Sequence, residues 1–252
     1  MPKSVLITGA GSGFGKGASV ALAARGHGVI ATTETEAQAA ALRAEAPSLR
    51  VEKLDITCSD VDKVRGWDID VLVDNAGAGQ TGPLVDVPMA VVRRVFEVNV
   101  FGTLAVTQAA VPGMIAKGAG RIIIVSSIAG VLAAPSFGPY SMSKHALEAM
   151  GKTLRAELAG QGVDVTLLNP GPYLTGFNDT MADSMWAWFG EASLNAPSKA
   201  MFQAVGSRVK TGQMDPADVV QRIVELVEAD KTSENNFMPP DILQRLGARR
   251  GG

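Results

Sequence analysis

Three polar side chains near the middle of the chain have the types and the spacing needed for proton transfer. Tyr140 and Lys144 are four residues apart in an Ala- and Met-rich stretch, which places a phenol and an ammonium on one helical face, one turn apart. Ser127 follows residues 121–125, a β-branched run that is typical of a strand buried on both faces. A hydroxyl, a phenol and an ammonium are therefore predicted to meet at one edge of a sheet.

A phenol beside a fixed positive charge can act as a general acid and base. The pKa of a free phenol is about 10, and a nearby opposite charge lowers it because that charge stabilises the phenolate. We therefore predict that Tyr140 exchanges the proton, that Lys144 lowers its pKa and that Ser127 orients a substrate oxygen. Taken singly, the three are also readable as a packed aromatic, a solvated lysine and a local cap, but their joint spacing favours the catalytic interpretation. His145 points away from that face, so we expect it to pack or to be exposed.

The composition indicates one large α/β domain and argues against several classes of protein. The chain has 252 residues, of which 46% are apolar and 19% charged, which allows a well-buried core and is unlike a disordered chain. The formal net charge of −2 offers no basic surface for nucleic acid. Cys58 is the only cysteine, which excludes an internal disulfide and fits a reducing compartment. With His27 and His145 as the only histidines, no metal site is expected.

The sequence shows no sign of a targeting or membrane-spanning segment. We find no apolar run that approaches the roughly 20 residues needed to cross a bilayer. The first strand begins near Ser4, which leaves no room for a signal peptide. We therefore expect a cytoplasmic protein with no membrane partner.

Strand and helix patterns alternate along the whole chain. Strands are predicted at residues 4–8, 29–31, 51–54, 71–73, 121–125, 163–168 and 236–238, and helices at 16–24, 35–45, 91–98, 101–116, 140–158 and 215–229. Residues 56–67 hold at most a short helix, and residues 173–214 are less periodic and rich in Met, Trp and Phe. Since no linker interrupts the alternation, we predict a single domain over residues 1–252, with a doubly wound parallel sheet of about seven strands and helices on both faces.

A glycine-rich segment lies between the first strand and the first helix. Residues 9–15 read GAGSGFG. Glycines let a backbone turn tightly and approach a pyrophosphate, while the N-terminus of the following helix supplies N–H donors and positive potential. An ordinary Gly-rich turn is the alternative. The position directly after a strand favours a dinucleotide site.

Together these motifs make the chain resemble the short-chain dehydrogenase/reductase family. The likeness rests on TGxxxGxG at residues 8–15, NAG at 75–77, Asn99 in a helix, Ser127 thirteen residues before Tyr140, YxxxK at 140–144, and PG at 170–171 followed by Thr175. The motifs occur in the family's order over about three quarters of the chain. The resemblance implies a Rossmann-type fold and an NAD(P)-dependent oxidoreductase that acts on the C–OH or C=O group of a small molecule.

The resemblance also implies roles for individual residues. Asn99 would hold a water that connects Lys144 to solvent, and Lys144 would also bind the nicotinamide ribose. Asp55 would contact the adenine, although a solvated strand-end carboxylate is the alternative. Asp74, where relatives usually carry Asn, and the short segment 56–67 depart from the pattern. The residues expected to bind the cofactor are Gly9, Gly11, Ser12, Gly13, Phe14, Gly15, Thr33, Glu34, Asp55, Ile56, Asn75, Ala76, Gly77, Tyr140, Lys144, Pro170, Gly171 and Thr175.

The choice between NAD(H) and NADP(H) depends on the residues that end the second strand. An acid there selects NAD, whereas a nearby Arg accommodates the 2′-phosphate of NADP. This chain has Thr33 and then Glu34, which match neither family signature. The carboxylate of Glu34 should repel a phosphate, so we favour NAD(H). NADP(H) stays open because Lys16 and Arg43 are near enough in sequence to contribute a positive charge.

Ligands of open α/β sheets lie outside the carboxyl ends of the strands, so residues after the sixth strand are expected to cover the substrate. Large apolar side chains cluster there: Met181, Met185, Trp186, Trp188 and Phe189. We predict that they form a mobile apolar lid over a bulky, apolar alcohol or ketone. Alternatively, they pack a subunit interface or anchor the segment.

Two other functions are compatible with parts of the pattern. A catalytically inactive NAD(P)-binding regulator would usually lack the Tyr or the Lys, and a halohydrin-type lyase would lose the glycine loop and replace the Lys by Arg. Neither change is present. The resemblance further implies a homodimer or homotetramer joined through the helices at 101–116 and 140–158.

Overall fold

The predicted parallel sheet is present and has seven strands. The computed structural model describes the backbone of residues 1–248 and the side chains of residues 1–245, so that positions 249–252 of the predicted domain lie outside the described residues. The strands are β1 (Ser4–Ile7), β2 (Gly28–Thr33), β3 (Arg50–Lys53), β4 (Val71–Asp74), β5 (Gly120–Val125), β6 (Val163–Pro170) and β7 (Asn235–Met238). They pair in parallel in the order β3-β2-β1-β4-β5-β6-β7.

The strand order reverses between β1 and β4, and this reversal locates the binding crevice. The chain runs outward from β1 to β3 and then crosses back to place β4 on the other side of β1. The loops that follow β1 and β4 therefore separate at the carboxyl edge of the sheet, which is the topological switch point of a doubly wound fold.

Helices cover both faces of the sheet. They are α1 (Gly13–Ala24), α2 (Glu36–Glu45), α3 (Met89–Phe96), α4 (Thr103–Lys117), α5 (Gly138–Leu158), α6 (Phe177–Asp183), α7 (Lys199–Thr211), α8 (Ala217–Glu228) and α9 (Ile242–Ala248). Between β3 and β4 there is only the 3₁₀ helix Ser59–Gly66, which confirms the prediction of a short helix at most.

The core has one layer on each face, as the alternating pattern predicts. On one face, Leu22 of α1 and Ile223 of α8 pack with Val5 and other residues of the central strands. On the other face, Val106 of α4 and Leu147 of α5 pack with a second set of strand residues. Successive strand residues point to opposite faces, so each central strand contributes apolar residues to both layers, as is usual for parallel sheets.

A π turn, Glu97–Gly102, joins α3 to α4 and makes one continuous helix, Met89–Lys117. The sequence predicted two helical stretches there, because a π turn adds a residue and shifts the apolar spacing. Gly102 allows the turn to approach the loop after β3, since a Cβ atom on Gly102 would lie 2.8 Å from Cγ1 of Ile56.

The same helix corrects the statement that no apolar run is long enough to cross a bilayer. By length and composition alone, Met89–Lys117 meets that criterion, and it is the one helix within residues 1–248 that does. Half of its most apolar 18-residue window is buried inside the fold. Asn99 and Thr107 interrupt the apolar residues, so the sequence of this helix has no unbroken apolar run of that length. Core helices pass the same test, so this is weak evidence for a membrane span.

Residues 173–214 are more regular than expected. They contain α6, α7 and the short 3₁₀ helices Ser184–Ala187 and Ala196–Ser198. All of these helices except α7 have seven residues or fewer, and Phe202 is the one buried residue of α7, so their apolar residues follow no clear helical period. The segment packs over the carboxyl edge of the sheet, where a cover was predicted.

Candidate active site

The carboxyl ends of the strands border one long cleft with a volume of about 940 Å³. It extends from the end of β2, past the loops that follow β1, β4 and β5, to helices α6 and α7. Motifs that are far apart in the sequence are thus brought to one surface. The predicted residues that line it are Gly9, Gly11, Ser12, Gly13, Phe14, Thr33, Glu34, Asp55, Ile56, Asn75, Ala76, Gly77, Ser127, Tyr140, Lys144, Pro170, Gly171, Thr175 and Met181.

The loop after β1 is shaped by glycines and joined to the loop after β4. Gly9 and Gly13 have φ angles of +66° and +53°, in the left-handed region that other residues adopt only at a cost. A Cβ atom on Gly9 would lie 2.7 Å from the Cα atom of Ala76. The side-chain amide of Asn75 donates to the carbonyl oxygens of Thr8 and Gly9, at 2.9 and 3.1 Å. The two loops therefore form one backbone surface.

Gly15 is the one predicted cofactor residue that does not line the cleft. A Cβ atom there would lie 2.5 Å from Nδ2 of Asn75 and 2.6 Å from the carbonyl oxygen of Gly9. Gly15 therefore lets helix α1 pack closely behind the loop, and its contact with the cofactor stays a prediction.

Helix α1 begins at the cleft with backbone donors that the helix itself does not use. Ser12 is the N-cap residue, and its side chain makes no capping hydrogen bond. The first N–H groups of a helix have no partner within the helix, and they carry positive potential. Because Gly13 and Phe14 line the cleft, these donors suit the pyrophosphate of a nicotinamide dinucleotide. The residues present therefore fit the cofactor that the resemblance implies.

The far end of the cleft, at the tips of β2 and β3, contains an ion pair that the sequence did not reveal. Nη2 of Arg94 donates to Oε1 of Glu34 at 2.9 Å, and Nη1 of Arg94 donates to Oγ1 of Thr57 at 3.4 Å. Arg94 comes from α3 and lines the cleft, as does Val98 one helical turn later. In the sequence, the spacing of four residues between Arg94 and Val98 indicates only that the two side chains lie on the same face of a helix.

The two cations proposed from sequence lie elsewhere. Lys16 pairs with Glu45 at 2.6 Å, and Arg43 pairs with Glu36 and donates to the carbonyl oxygen of Val51. Neither lines the cleft. The positive charge beside Glu34 is therefore supplied by Arg94, in place of both predicted cations.

Asp55 stands where the adenine contact was predicted, and its carboxylate is locally bound. Oδ1 accepts hydrogen bonds from the backbone N–H and the hydroxyl of Thr57, at 2.9 and 2.7 Å. The backbone bond, followed by the hydroxyl bond, lowers the pKa of Asp55. The side chain thus shapes the turn after β3 while it lines the cleft.

Ser127, Tyr140 and Lys144 lie together on the wall of the cleft. Ser127 ends β5 and caps the 3₁₀ turn Ile128–Gly130, and α5 carries the other two side chains in its first turns. All three are buried, with relative exposures of 8%, 8% and 4%. Burial raises the pKa of Tyr140 to about 12, and a hydrogen bond with Ser127 opposes that rise. The predicted grouping of a hydroxyl, a phenol and an ammonium is present.

Lys144 is held close to Tyr140 but bonds to the backbone. Its Nζ atom donates to the carbonyl oxygen of Val125 at 2.9 Å and lies 5.7 Å from the centre of the Tyr140 ring. Burial lowers the pKa of Lys144 to about 8, and the charge of Glu148 opposes that fall. The protein alone does not show a lowered pKa for Tyr140, so this role of Lys144 stays a prediction.

Asn99 lies in the π turn and binds the loop after β4. Its Oδ1 accepts from the backbone N–H of Ala78 at 2.7 Å, and its Nδ2 donates to the carbonyl oxygen of Ala78 and to Oγ of Ser143, both at 2.9 Å. Asn99 is fully buried and does not line the cleft. In this structure it positions the cofactor-side loop against α5, and the water relay stays a prediction.

Asp74, the departure noted in the sequence, is buried behind the same loop. Its Oδ2 accepts from the hydroxyl of Thr107 at 2.9 Å, whereas Oδ1 has no hydrogen-bond partner among the described residues. Burial raises the pKa of Asp74 to about 7, because a charged carboxylate is poorly solvated there. The substitution therefore places a titratable group where an amide would stay neutral.

The substrate end of the cleft corrects the predicted lid. Of its five residues, Met181 lines the cleft and the other four, Met185, Trp186, Trp188 and Phe189, do not. Most side chains on this wall are apolar, and they come from the loop after β5, from α6 and from α7: Leu132, Ala134, Pro135, Phe137, Phe177, Met201, Val205 and Val209. The ring of Phe177 lies 5.8 Å from that of Tyr140. These residues were missed because no regular spacing connects them in the sequence.

The remaining aromatic residues anchor the cover. Phe189 makes edge-to-face contacts with Trp186, Trp188 and Phe202, with ring centres 5.8, 6.2 and 5.7 Å apart. Trp188 also packs on Gly82, where a Cβ atom would lie 2.4 Å from Cζ2 of the indole. The anchoring interpretation of these residues is therefore the one that the structure favours.

Comparisons with known proteins agree with this geometry. Residues 3–186 match the short chain dehydrogenase family. The chain is 32% identical to retinol dehydrogenase 8 of Homo sapiens over 211 residues, or 77% of this chain and 65% of that protein. It is 42% identical to the NADPH-dependent 3-dehydrocapnine reductase of Ornithobacterium rhinotracheale over 127 residues, or 48% of this chain and 45% of that protein. The matches thus span less than two thirds of the length of either relative.

A solved structure extends the likeness over nearly the whole chain. A short-chain dehydrogenase/reductase from Burkholderia phymatum, in complex with NAD, superimposes with a TM-score of 0.82 at 28% sequence identity. The likeness covers 99% of this chain and 93% of that protein. The family match extends from β1 to the residues that follow α6, and the sheet is the doubly wound parallel sheet that the family resemblance implies. The chain therefore belongs to the short-chain dehydrogenase/reductase family of oxidoreductases.

Proposed function

We propose that the protein transfers a hydride between a nicotinamide dinucleotide and the C–OH or C=O group of an apolar small molecule. The observation that carries this proposal is the position of Ser127, Tyr140 and Lys144 on the wall of the cleft that the glycine loop also lines. The same cleft then holds both the cofactor, through its pyrophosphate, and the substrate, next to the proton-transfer group.

The residues of the chain divide the chemistry among them. When bound, the nicotinamide ring supplies or accepts the hydride. In the reducing direction, the hydroxyl of Tyr140 gives its proton to the substrate oxygen, and in the oxidising direction the phenolate takes that proton back. Ser127 donates a hydrogen bond that holds the substrate oxygen near the phenol. The ammonium of Lys144 stabilises the phenolate, which burial alone disfavours, since it raises the pKa of Tyr140 to about 12.

Substitution of Tyr140 tests this function. We expect Tyr140→Phe to reduce turnover of a substrate by about 10³-fold, the usual contribution of a general acid/base. The affinity for the cofactor, measured by fluorescence titration, should stay within a factor of two because the ring is kept. Turnover is followed by the absorbance of the reduced nicotinamide over a panel of apolar alcohols and ketones. Appreciable residual activity in the variant would remove Tyr140 from the role.

For the cofactor, we propose NAD(H). The carboxylate of Glu34 lines the adenosine end of the cleft, where it can accept hydrogen bonds from ribose hydroxyls and repels a 2′-phosphate. The Burkholderia phymatum relative is described in complex with NAD. Arg94, paired with Glu34, is the feature that favours NADP(H) as the second candidate. Titrations with NADH and NADPH decide between them.

For the substrate, we propose a bulky apolar alcohol or ketone. The wall opposite Tyr140 consists mainly of apolar side chains of the loop after β5 and of α6 and α7, and such a wall excludes water from a charge-separating step. A catalytically inactive NAD(P)-binding regulator is the rival. It is favoured if cofactor binds tightly and no substrate of the panel is turned over.

We also propose that two or four copies associate through α4 and α5. Phe101, in the π turn before α4, and Met142 of α5 are 55% and 45% exposed, and large exposed apolar side chains on neighbouring helices are typical of subunit interfaces. Light scattering in solution measures the number of copies. A strict monomer would contradict the proposal.

A further inference from the structure

The helix that carries Tyr140 and Lys144 carries a third buried polar residue at the same spacing. Glu148 is four residues after Lys144 on α5, so the phenol, the ammonium and a carboxyl group follow one another on one helical face. Lys144 and Glu148 have relative exposures of 4% and 5%. Buried charges are costly unless they are paired or hydrogen-bonded, so this placement requires an explanation.

The carboxylate of Glu148 is fixed by two side-chain amides. Nδ2 of Asn169, at the end of β6, donates to Oε1 at 2.6 Å, and Nδ2 of Asn235, in β7, donates to Oε2 at 2.8 Å. The two amides are joined to each other, because Nδ2 of Asn235 also donates to Oδ1 of Asn169 at 3.0 Å. Each carboxylate oxygen thus receives one N–H donor, which suits an anion that accepts on both oxygens.

The position of Glu148 also depends on a glycine beside the catalytic loop. A Cβ atom on Gly130 would lie 3.0 Å from Cγ of Glu148 and 3.0 Å from the carbonyl oxygen of Lys144. The turn after Ser127 therefore closes directly over this part of α5. The carboxylate is enclosed between the catalytic helix, the catalytic loop and the last two strands.

Within the described residues, no cation pairs directly with Glu148. No Lys, Arg or His nitrogen lies within 4.0 Å of its carboxylate oxygens; the ion pairs near this end of α5 are Lys152 with Glu234 and Arg155 with Asp164. The ammonium of Lys144, one helical turn away on the same helix, is the other buried charged group on this face of α5. Neutral amides hold the anion in place without cancelling its charge.

We propose that Glu148 is a positioning residue for the proton chemistry of Tyr140, because its fixed carboxylate keeps the buried side chain of Lys144 in the ammonium form. This inference deepens the proposed function and rests on the role given there to Lys144. It assigns to Asn169 and Asn235 the task of holding the carboxylate.

The titration of Lys144 follows from two opposing causes. Burial lowers its pKa to about 8, and the negative charge of Glu148 raises it. Loss of that charge should move the pKa further down, so that Lys144 loses its proton at a lower pH. The other charged or titratable groups on α5 are Tyr140, His145, Lys152, Arg155 and Glu157, and those on the elements around it are Asp74, Arg93, Arg94, Glu97, Asp164 and Glu234. None of them contributes to the shift of the Lys144 pKa.

The test compares variants by two measurements. Glu148→Gln removes the charge and keeps the shape, Glu148→Leu removes the charge and all hydrogen bonding, and Glu148→Asp keeps the charge. In the protein without cofactor, the ¹³Cε signal of labelled Lys144, assigned by its loss in Lys144→Met, gives the pKa directly. We expect Glu148→Gln and Glu148→Leu to lower it by about one unit, as for removal of a nearby opposite charge, and Glu148→Asp to restore most of the shift.

The second measurement is the pH profile of kcat/KM. Its alkaline limb, where Lys144 loses the charge that stabilises the phenolate, should move by about one unit to lower pH in the charge-free variants. Glu157→Gln is the matched control, since Glu157 lies on the same helix and is exposed, and it should leave both measurements unchanged.

Asn235→Leu separates positioning from simple bracing of the fold. It removes two hydrogen bonds, one to Glu148 and one to Asn169, and keeps the charge of Glu148, so we expect lower thermal stability with an unchanged Lys144 titration. An unchanged titration in whichever charge-free variant folds would overturn the inference. The titration needs no turnover, so a protein that converts no alcohol or ketone would refute the proposed function and leave the titration result for Glu148 as measured.

Discussion

The two ends of the cleft are built in different ways. At the cofactor end, backbone atoms of the loops after β1 and β4 form the surface, and side chains such as Thr8 and Asn75 bind those loops to each other at 2.9–3.1 Å. At the substrate end, the surface consists of apolar side chains from α6, α7 and the loop after β5. The first end is specified by backbone geometry, and the second by packing.

This difference has a consequence for what each end tolerates. A backbone surface with positive φ angles and close approaches permits few substitutions, because any added atom meets another backbone atom. A wall of apolar side chains on short helices accepts changes of size and shape at modest cost. Family-wide chemistry is therefore expected at the cofactor end, and variation among substrates at the other. Five substitutions, each compared with the wild type or with a control variant, test this contrast.

The largest expected effect is at Asp74, behind the cofactor-side loop. Its folded-state pKa of about 7 lies above the ordinary aspartate value of about 4, so the native state binds the proton more tightly than the unfolded state. The wild type therefore loses stability as pH rises from about 4 to about 7. Asp74→Asn removes this loss and keeps an oxygen acceptor for Thr107. At about 1.4 kcal/mol for each pH unit, the variant should be more stable by up to about 4 kcal/mol above pH 7.

Chemical unfolding of both proteins at several pH values checks this expectation. The difference in free energy of unfolding should be small near pH 4 and reach its full value only above pH 7. Oδ1 of Asp74 has no hydrogen-bond partner among the described residues, and the amide nitrogen of the variant would take its place. A difference that is already large at pH 4 would therefore show that hydrogen bonding, and not the charge, dominates.

Gly13 tests the rigidity of the cofactor end. In Gly13→Ala, the Cβ atom would lie 3.0 Å from Cβ of Thr175 at a φ of +53°, and the left-handed conformation costs about 1–2 kcal/mol. We expect the loop to shift and the Kd for the cofactor, measured by fluorescence titration, to rise about tenfold.

Gly26→Ala is the control for this effect. Gly26 has a φ of +87° and no atom within 4 Å of an added Cβ, and it lies at the opposite end of α1. It should lose similar stability and keep its cofactor affinity. Equal losses of affinity in the two variants would mean that general destabilisation, and not the geometry of the cradle, is being measured.

Much of the cofactor end could be predicted from the sequence, for a physical reason. Gly9, Asn75 and Ser127 each follow a buried strand, and parallel strands bring their carboxyl ends to one edge. Tyr140 and Lys144 lie in one helix, so their spacing alone places them on one face. Local rules of this kind do not depend on distant packing, and the order and alternation of the strands were predictable in the same way.

The substrate end was predicted less well because its residues have no local rule. Large apolar side chains mark a covering segment but not which face of it meets the cleft, and Trp186 and Trp188 turned out to anchor the cover. The π turn at Glu97–Gly102 was missed because one extra residue changes the apolar spacing. Arg94 lies in α3 of the same continuous helix, so the orientation of this helix determines where the Arg94 side chain points and whether it can pair with Glu34.

At the substrate end, Phe177 is the residue with the largest expected effect. Its side chain lines the cleft, and its ring centre lies 5.8 Å from that of Tyr140. Phe177→Ala removes an aromatic surface that an apolar substrate would contact. Because an aromatic contact contributes about 0.5–1.5 kcal/mol, we expect KM for an apolar substrate to rise by up to about tenfold while the Kd for the cofactor is unchanged. Trp186→Ala, which is outside the cleft lining, is the control and should leave KM as it is. If Phe177→Ala changed the Kd for the cofactor more than KM for the substrate, the two ends of the cleft would not bind their ligands independently.

The smallest expected effect concerns the one part of the cofactor end that is made by charged side chains. Arg94 and Glu34 pair at 2.9 Å, and both are about half exposed, so their pairing contributes at most about 1 kcal/mol and is weakened by salt. Loss of the cation in Arg94→Gln should weaken NADPH binding about threefold more than NADH binding. Loss of the anion in Glu34→Gln should shift the ratio the other way, since it leaves Arg94 to attract the 2′-phosphate.

Arg93→Gln is the matched control for this pair, because Arg93 is the neighbouring residue, is exposed and forms no ion pair within the described residues. Titrations with both cofactors at low and high salt give the ratio of affinities, and salt should reduce both shifts. If both substitutions moved the ratio in the same direction, the ion pair would matter only as a contact between α3 and the end of β2. Opposite shifts would show that the choice between NAD(H) and NADP(H) depends on the charges of Arg94 and Glu34, at an end of the cleft that is otherwise formed by backbone. A change of cofactor would then require the fewest substitutions at these two residues.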